Sequence, residues 1–412
     1  MNTTFKRFFS IFLAALMAVS LAACAGDVTG EPTAEPTADT TAEATAEPDE
    51  TLDAEPDGTQ DLTPLGQVSV DENGHEYTSN GNGTCTVTRI NIPEGDEVTI
   101  TLASYSPDGD KVTVLAPRLC LDQTTLVGVN LPSDLYTVGM YTFAGCTNLT
   151  DLVIPKTVIS IEPHAFERCA SLASVDLGYD LKTVGEAAFQ DCVSLTEATI
   201  PENVETLGNY CFAFCTNITK MTFNCLSQPN YTMLMGCDKL ETLVINTTAP
   251  VVLDAFAYNT EFKYLIIGDN VTDVGDSAFT CCSALQKIVF GKNVETIGGF
   301  TFYDCEALTE VEFLGDKLIS LGTGAFSYCA MLEEFTVPEG CESLGERCFE
   351  YSPMLQKVTI PASMTFIGEN AFHVCDSLRQ VTYTGNAGGW KILSVRPGNE
   401  TLLSADVSCT GE

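Results

Sequence analysis

Residues 195–215 read LTEATIPENVETLGNYCFAFC, and the reading of this stretch decides the architecture. Leu195 and Ile200 carry the apolar side of a short strand, and Pro201, which has no N–H to give, stops it. Val204 and Leu207 belong to a returning arm, Gly208 marks a turn after it, and Phe212 and Cys215 follow on a third segment. Residues 149–155, LTDLVIP, repeat the first third. There Leu149, Leu152 and Ile154 point inward, the last two with the period-two alternation of a strand.

Moving outward from this unit, the same signature recurs along most of the chain. The Phe position runs from Phe143 through Phe166, Phe189 and Phe212 to Phe372, with Leu234 the one exception. Three residues later stands Cys146, then Cys169, Cys192 and so on to Cys375, with Asn259 and Ser352 as substitutes. Three further on comes an apolar anchor, from Leu149 to Leu378. Eleven registers at a spacing of 22 to 24 residues lie beyond chance. Periods in the twenties belong to leucine-rich repeats.

The expected fold is therefore a repeat solenoid: a leucine-rich-repeat horseshoe or arc of about eleven repeats of 22–24 residues. A parallel β-sheet lines the concave face, and short helical or 3₁₀ turns cross the convex face. No single unit can bury its own apolar edge, so strands stack ~4.8 Å apart and bury it between neighbours. Both ends must then be atypical. Residues 66–117 read as an N-terminal β cap of short antiparallel strands, for example Thr84-Cys85-Thr86-Val87-Thr88. Repeats occupy 118–383. Residues 384–412 read as a C-terminal cap, with Trp390, the only tryptophan, covering the last coil.

The N-terminal end carries export and anchoring signals. Lys6 and Arg7 precede an apolar run from Phe8 to Val19, which is short for a bilayer span. Leu21-Ala22-Ala23-Cys24 closes it with small residues where a peptidase cuts. Residues 1–23 are read as a lipoprotein signal peptide. The Leu21–Cys24 tetrad resembles the lipobox of bacterial lipoproteins; the resemblance implies diacylglycerol on the Cys24 thiol and attachment to the membrane. Residues 24–65 follow as the lipidated Cys and an acidic Thr/Pro/Glu stalk, with the theme Glu31-Pro32-Thr33-Ala34 repeated at Glu35-Pro36-Thr37-Ala38. Too little apolar surface and charge of one sign leave such a segment extended and unfolded. Its threonines would suit O-glycosylation.

A net charge of −37 argues against nucleic acid and against docking on anionic lipid, both of which need basic patches. Eighteen cysteines in an exported chain would ordinarily suggest disulfides. Nine of them, however, hold the repeat position after Phe, where Ser and Asn also serve, so the reading is a ladder of small buried side chains. Free thiols on an exported protein suggest an anaerobic habitat, and Cys281-Cys282 is the pair to check for oxidation. No Cys-x-x-Cys occurs, and no metal or other cofactor is expected. Asp71-Glu72-Asn73-Gly74 hints at a calcium loop without the rest of that pattern, and a solvated turn is the simpler reading. His75, His164 and His373 are too far apart along the solenoid to share a site. No nucleophile elbow, zinc helix or phosphate loop is present, so the chain is not read as an enzyme.

The unit Leu-x-x-Ile-x-Ile-Pro…Val-x-x-Ile-Gly-x-x-Ala-Phe-x-x-Cys resembles the BspA-type leucine-rich repeat. Leu195, Ile200-Pro201, Val204, Leu207-Gly208, Phe212 and Cys215 match it. Tyr383-Thr384-Gly385…Trp390-Lys391-Ile392…Asn399…Leu402…Ala405 resembles the family's C-terminal closure. The chain departs from the pattern between Cys225 and Asn259, where the arm loses its Val-x-x-Ile-Gly. The resemblance implies a surface protein of the kind found in anaerobic, host-associated bacteria and some parasitic protists; with the lipobox resemblance it implies a bacterial protein lipid-anchored on the extracellular face of the envelope. It also implies adhesion to host or neighbouring-cell proteins or glycans; the fold itself supports many partners. The other class is an envelope-structural or spacer lipoprotein with no specific ligand. An apolar or aromatic cluster on the concave face would favour binding, and a uniformly polar face would favour a spacer.

The fifth position after each anchor should face that concave side. It is apolar on three successive coils, at Val244, Ile266 and Val289. Tyr264 joins from the third position, with Lys263 and Lys287 beside it, and the next coils turn acidic at Glu310, Glu312, Glu333 and Glu334. An apolar strip with a charged rim has the anatomy of an interaction patch. Val and Ile would also stand there simply as good strand formers.

Overall fold

The computed structural model describes residues 62–225, 232–248, 250–251 and 256–411. The chain divides into Met1–Thr59 and Gln60–Glu412, and the repeats belong to the second unit. The expected signal peptide, Cys24 and the stalk as far as residue 61 lie outside the described residues.

The repeats build a parallel β-solenoid of about fourteen coils with little helix. Each coil has three sides. The long side is a strand such as Glu197–Ile200, Lys220–Phe223 or Tyr264–Ile267, paired in parallel with the same residues of the next coil. Burial alternates along these strands, with Ala198, Ile200, Met221, Phe223, Leu265 and Ile267 inside. The returning arm is a second parallel ladder of two-residue strands, such as Thr183–Val184 on Thr206–Leu207. Glycine follows this ladder because coils touch there: a Cβ on Gly345 would lie 2.5 Å from the carbonyl carbon of Gly322.

The third side, carrying Ala-Phe-x-x-Cys, has the i→i+3 hydrogen bonds of 3₁₀ turns but does not run on into a helix. Left-handed residues interrupt it every four positions, for example His164 and Arg168 at φ of 60° and 59°. Alternate N–H groups reach the next coil instead: Phe143 to Ala165 O and Phe166 to Ala188 O, both at 2.8 Å. This side is thus a third hydrogen-bonded ladder.

Inside, the Phe side chains form two stacks, Phe143 to Phe212 and Phe256 to Phe372, with centroids 5.1 to 5.8 Å apart. Leu234 separates them. The ladder cysteines lie beside the stacks. From Cys169 onward each ladder thiol donates to the Phe carbonyl of the preceding coil, as Cys169 to Phe143 and Cys192 to Phe166 at 3.2 Å, while Cys146 donates to the Cys120 carbonyl at 3.0 Å. Ser352 makes the same bond to Phe326 at 3.3 Å, which explains why Ser and Cys interchange there. None of the seventeen described cysteines is in a disulfide. Burial pushes the Cys237 and Cys375 thiols up to about 12. Cys282 belongs to the ladder, and Cys281 sits half-buried beside Asp304.

Both ends differ from the sequence reading in one respect each. Of the expected antiparallel cap, only Val68–Val70, Glu76–Ser79 and Thr84–Arg89 form an antiparallel meander. The far edge of Thr84–Arg89 pairs in parallel with Lys111–Leu115, and Val98–Thr101 pairs in parallel with Leu126–Asn130. Solenoid coils therefore begin before the Phe-Cys signature does. Their interior is filled by other residues, such as Ile100, Leu115 and Cys120, which is why the motif did not reveal them.

At the other end Trp390 is not the cover of the last coil. It leans on Tyr383, centroids 5.5 Å apart, and the chain adds one more coil: Ser394–Val395 on Phe366–Ile367 and Asp406–Cys409 on Gln380–Tyr383. Two short helices, Ala387–Ile392 and Glu400–Ser404, carry it round. Asn399 is buried where the Phe arm would otherwise meet a further coil. Its Oδ1 accepts the Phe372 N–H at 3.0 Å, and its Nδ2 donates to Gly368 O at 2.9 Å and Arg396 O at 2.8 Å. One side chain thus replaces the missing backbone and closes the ladder.

Candidate functional site

The residues singled out from the sequence come together on the outward side of the long-strand sheet. Val244, Ile266, Val289 and Glu312 are direct register partners on four successive strands. Thr242, Tyr264, Lys287 and Glu310 form the adjoining register row. Alternation puts both rows outside the core. Tyr264 is 42% exposed and Ile266 38%, while Val244 and Val289 are half-buried by their neighbours.

The charges at the rim are organised rather than scattered. Lys263 pairs with Glu241 at 3.0 Å. Lys287 reaches forward to Glu310 at 2.7 Å and Glu312 at 3.2 Å, and the hydrogen bonds it donates to these carboxylates push its ammonium pKa up. From the other side Lys357 holds Glu334 at 3.5 Å. Among the described residues Glu333 pairs with no lysine or arginine.

One feature of this face was not foreseen. The sheet is interrupted between Glu310–Phe313, the last strand of a six-stranded sheet, and Glu334–Thr336, the first of a four-stranded one. Glu310 and Glu334 occupy the same repeat position on successive coils, and like charges facing across strands disfavour pairing. Each carboxylate pairs with a lysine on the flank away from the seam, Glu310 with Lys287 and Glu334 with Lys357. Val311 and Phe313, which point inward, are left partly uncovered at this seam. The signal available beforehand was the run of acidic residues together with the 24-residue step from Phe302 to Phe326.

A second feature lies on the turn side. Tyr303, Tyr328 and Tyr351 form an outer aromatic column, centroids 5.2 and 4.7 Å apart, and His373 meets Tyr351 edge-on at 6.1 Å. Burial and the neighbouring Tyr351 and Glu350 charges push Tyr328 up to about 12. Alignment on Phe and Cys hid these residues, since they stand one or two places after the Phe.

The remaining candidates are structural. Asp71 closes its own turn: one carboxylate oxygen accepts the Asn73 and His75 N–H groups at 2.9 Å, and the other accepts the Tyr77 hydroxyl at 2.8 Å. His75 Nδ1 accepts the Asn91 N–H, and His164 stacks on Tyr141 and pairs with Glu167. Among the described residues no three His, Cys, Asp or Glu side chains are grouped to hold a metal. No helix among them is long and apolar enough to cross a membrane.

A parallel solenoid of coils built on one 22–24-residue unit, with an ordered outward face and a packed interior, defines a leucine-rich-repeat scaffold. The BspA type leucine rich repeat region matches residues 136–256 and 249–379 in six copies, and the chain belongs to this family. A leucine-rich repeat protein from Bacteroides ovatus shares 23% identity over 83% of this chain and 99% of its own, with a TM-score of 0.38. A leucine rich cell surface protein from Faecalibacterium prausnitzii shares 21% over 80% and 97%, with a TM-score of 0.32. The pneumococcal vaccine antigen PcpA shares 17% over 85% and 98%, with a TM-score of 0.30. No curated protein matches the sequence.

Proposed function

We propose that this chain is a non-enzymatic surface protein, held to the outer face of a bacterial envelope by a lipid on Cys24, that binds protein or glycan partners of other cells through its long-strand face. The observation that supports binding over a spacer role is the outward-facing apolar row at Val244, Ile266 and Val289, half-buried at the two valines and exposed at Ile266, with exposed Tyr264 beside it. A spacer needs no run of three such coils, and the water-facing positions of most other coils carry Thr, Glu or Lys, as at Thr199, Lys220, Thr359 and Glu334, with Val153 an isolated exposed apolar residue in the same column. Lipid anchoring rests on Leu21-Ala22-Ala23-Cys24 behind a basic, apolar leader.

Two experiments test the two halves. Cys24→Ala should move the protein from the envelope fraction into the medium; retention with the membrane would end the anchor assignment. Tyr264→Ala with Ile266→Ser changes only outward side chains and should leave folding near normal. The same pair should weaken capture of partners from matrix, mucin and neighbouring-cell extracts. Equal capture by a folded double variant would remove this face from consideration.

A further inference from the structure

We propose that the partner of the long-strand face is a cationic polypeptide segment, with an apolar side chain seated on the row Val244–Ile266–Val289 and Lys or Arg side chains reaching the carboxylates around the sheet seam. This rests on the reading of that face as a binding surface and adds the chemistry of its occupant.

The apolar row and the carboxylates are consecutive along one register line, from Ile266 through Val289 to Glu312. Two strand steps separate Ile266 from Glu312, about 10 Å at ordinary strand spacing. That separation matches about three residues of extended peptide or about two turns of helix. The carboxylates are not balanced by the protein itself. Glu310, Glu312, Glu333 and Glu334 face only Lys287 and Lys357 among the described residues, so the seam carries excess negative charge. At the seam two strand edges lie unpaired with each other and Phe313 is partly uncovered, so a partner there meets backbone polar groups and apolar surface together.

Charge complementarity then selects the class. A basic segment supplies what the seam lacks, and the excess negative charge of the whole chain steers it in. Acidic and sulfated glycans meet like charge. A neutral glycan laid on Val and Ile would bury hydroxyls without partners.

The test uses the full chain and three synthetic peptides of equal length: one with a Leu-Leu-Val cluster followed three residues on by Lys-Arg-Lys, its counterpart with Glu for the basic residues, and one with Ser for the apolar cluster. Affinity for the apolar–basic peptide should exceed that for the other two. It should fall about tenfold or more in Glu312→Lys with Glu333→Lys. It should hold in the matched control Glu202→Lys with Glu339→Lys, which reverses two exposed carboxylates on the turns after the long strands. The seam-reversed variant should in turn take up the apolar–acidic peptide. Equal loss in the seam variant and the control would overturn the proposal, because it would mean diffuse attraction to an acidic chain. If Tyr264→Ala with Ile266→Ser abolishes mucin-glycan or acidic-peptide binding while seam reversal changes nothing, the face binds but its partner is not cationic. If neither pair of substitutions changes the binding of any probe, the face itself falls as a site.

Discussion

Phe302 is the place to test how the solenoid is held together. It is fully buried, stacked on Phe279 at 5.4 Å and Phe326 at 5.2 Å, with Phe290 edge-on at 5.8 Å. Truncation to Ala removes the ring and leaves a cavity between two hydrogen-bonded coils that cannot collapse, a loss of about 3–5 kcal/mol. Leu keeps most of the apolar volume, as Leu234 does in the same position, and forfeits mainly the ring–ring contacts. The two stacked contacts contribute about 0.5–1.5 kcal/mol each beyond burial, and Leu still packs on the Phe290 ring, so Phe302→Leu should cost about 1–3 kcal/mol. The damage should also be local, because each coil contacts only its neighbours. The amides nearest it are Phe302, bonded to Ala325 O, and Phe279, bonded to Thr301 O, both at 2.9 Å. Hydrogen exchange read by mass spectrometry should lose protection from about Phe279 to Phe326 well before the cap or the final coil. Denaturant titration gives the size of the effect. A cost for Ala no larger than for Leu would refute the role of the stacked volume. A loss spread evenly along the chain would refute the nearest-neighbour picture.

Three further outcomes follow from the same geometry. Cys192→Ser should cost only about 1 kcal/mol, since a hydroxyl can donate to Phe166 O as Ser352 does to Phe326, whereas Cys192→Tyr should unfold its neighbourhood by overpacking; mass spectrometry of the unreduced protein showing ladder disulfides would contradict the arrangement. Val374 is a β-branched residue held at φ of 57°, so Val374→Asn, which tolerates that conformation, should raise stability by about 0.5–1 kcal/mol, and a lower Tm would contradict the strain. Burial raises the Asp71 carboxyl, but the His75 N–H, the Tyr77 hydroxyl and the His75 charge outweigh it and hold it below the ordinary value of 3.8. With the folded value lowered, its contribution is complete above that ordinary value and is lost as the pH falls through the lowered one. Exchange protection at His75 and Tyr77 should therefore fall with acid in the native protein and much less in Asp71→Asn; equal profiles would exclude Asp71 as the cause.

Much of the candidate face was legible because strand alternation is strict. Once Leu265 and Ile267 are inside, Tyr264 and Ile266 must be outside, and an equal repeat length brings Val244 and Val289 alongside. The seam was not legible from that rule. Whether Glu310 and Glu334 pair depends on repulsion across strands and on which way Lys287 and Lys357 lean, and neither is encoded in the spacing. The outer Tyr303–Tyr328–Tyr351 column was likewise hidden, because residues one place out of register in their repeats converge only when turns with left-handed residues swing them onto one line.

The sequence by itself determined the coil, its period, its inward columns and the interchange of Cys with Ser, because all of these are local and repeat with the chain. The tertiary structure decided where the coils begin and end. Thr84–Arg89 shows a hairpin on one edge and a solenoid on the other only after both neighbours have docked. Asn399 becomes the closing group of the Phe ladder only because folding carries it to the buried Phe372 N–H. Ends and seams depend on which backbone groups lack a neighbour, and that is known only once every coil is in place.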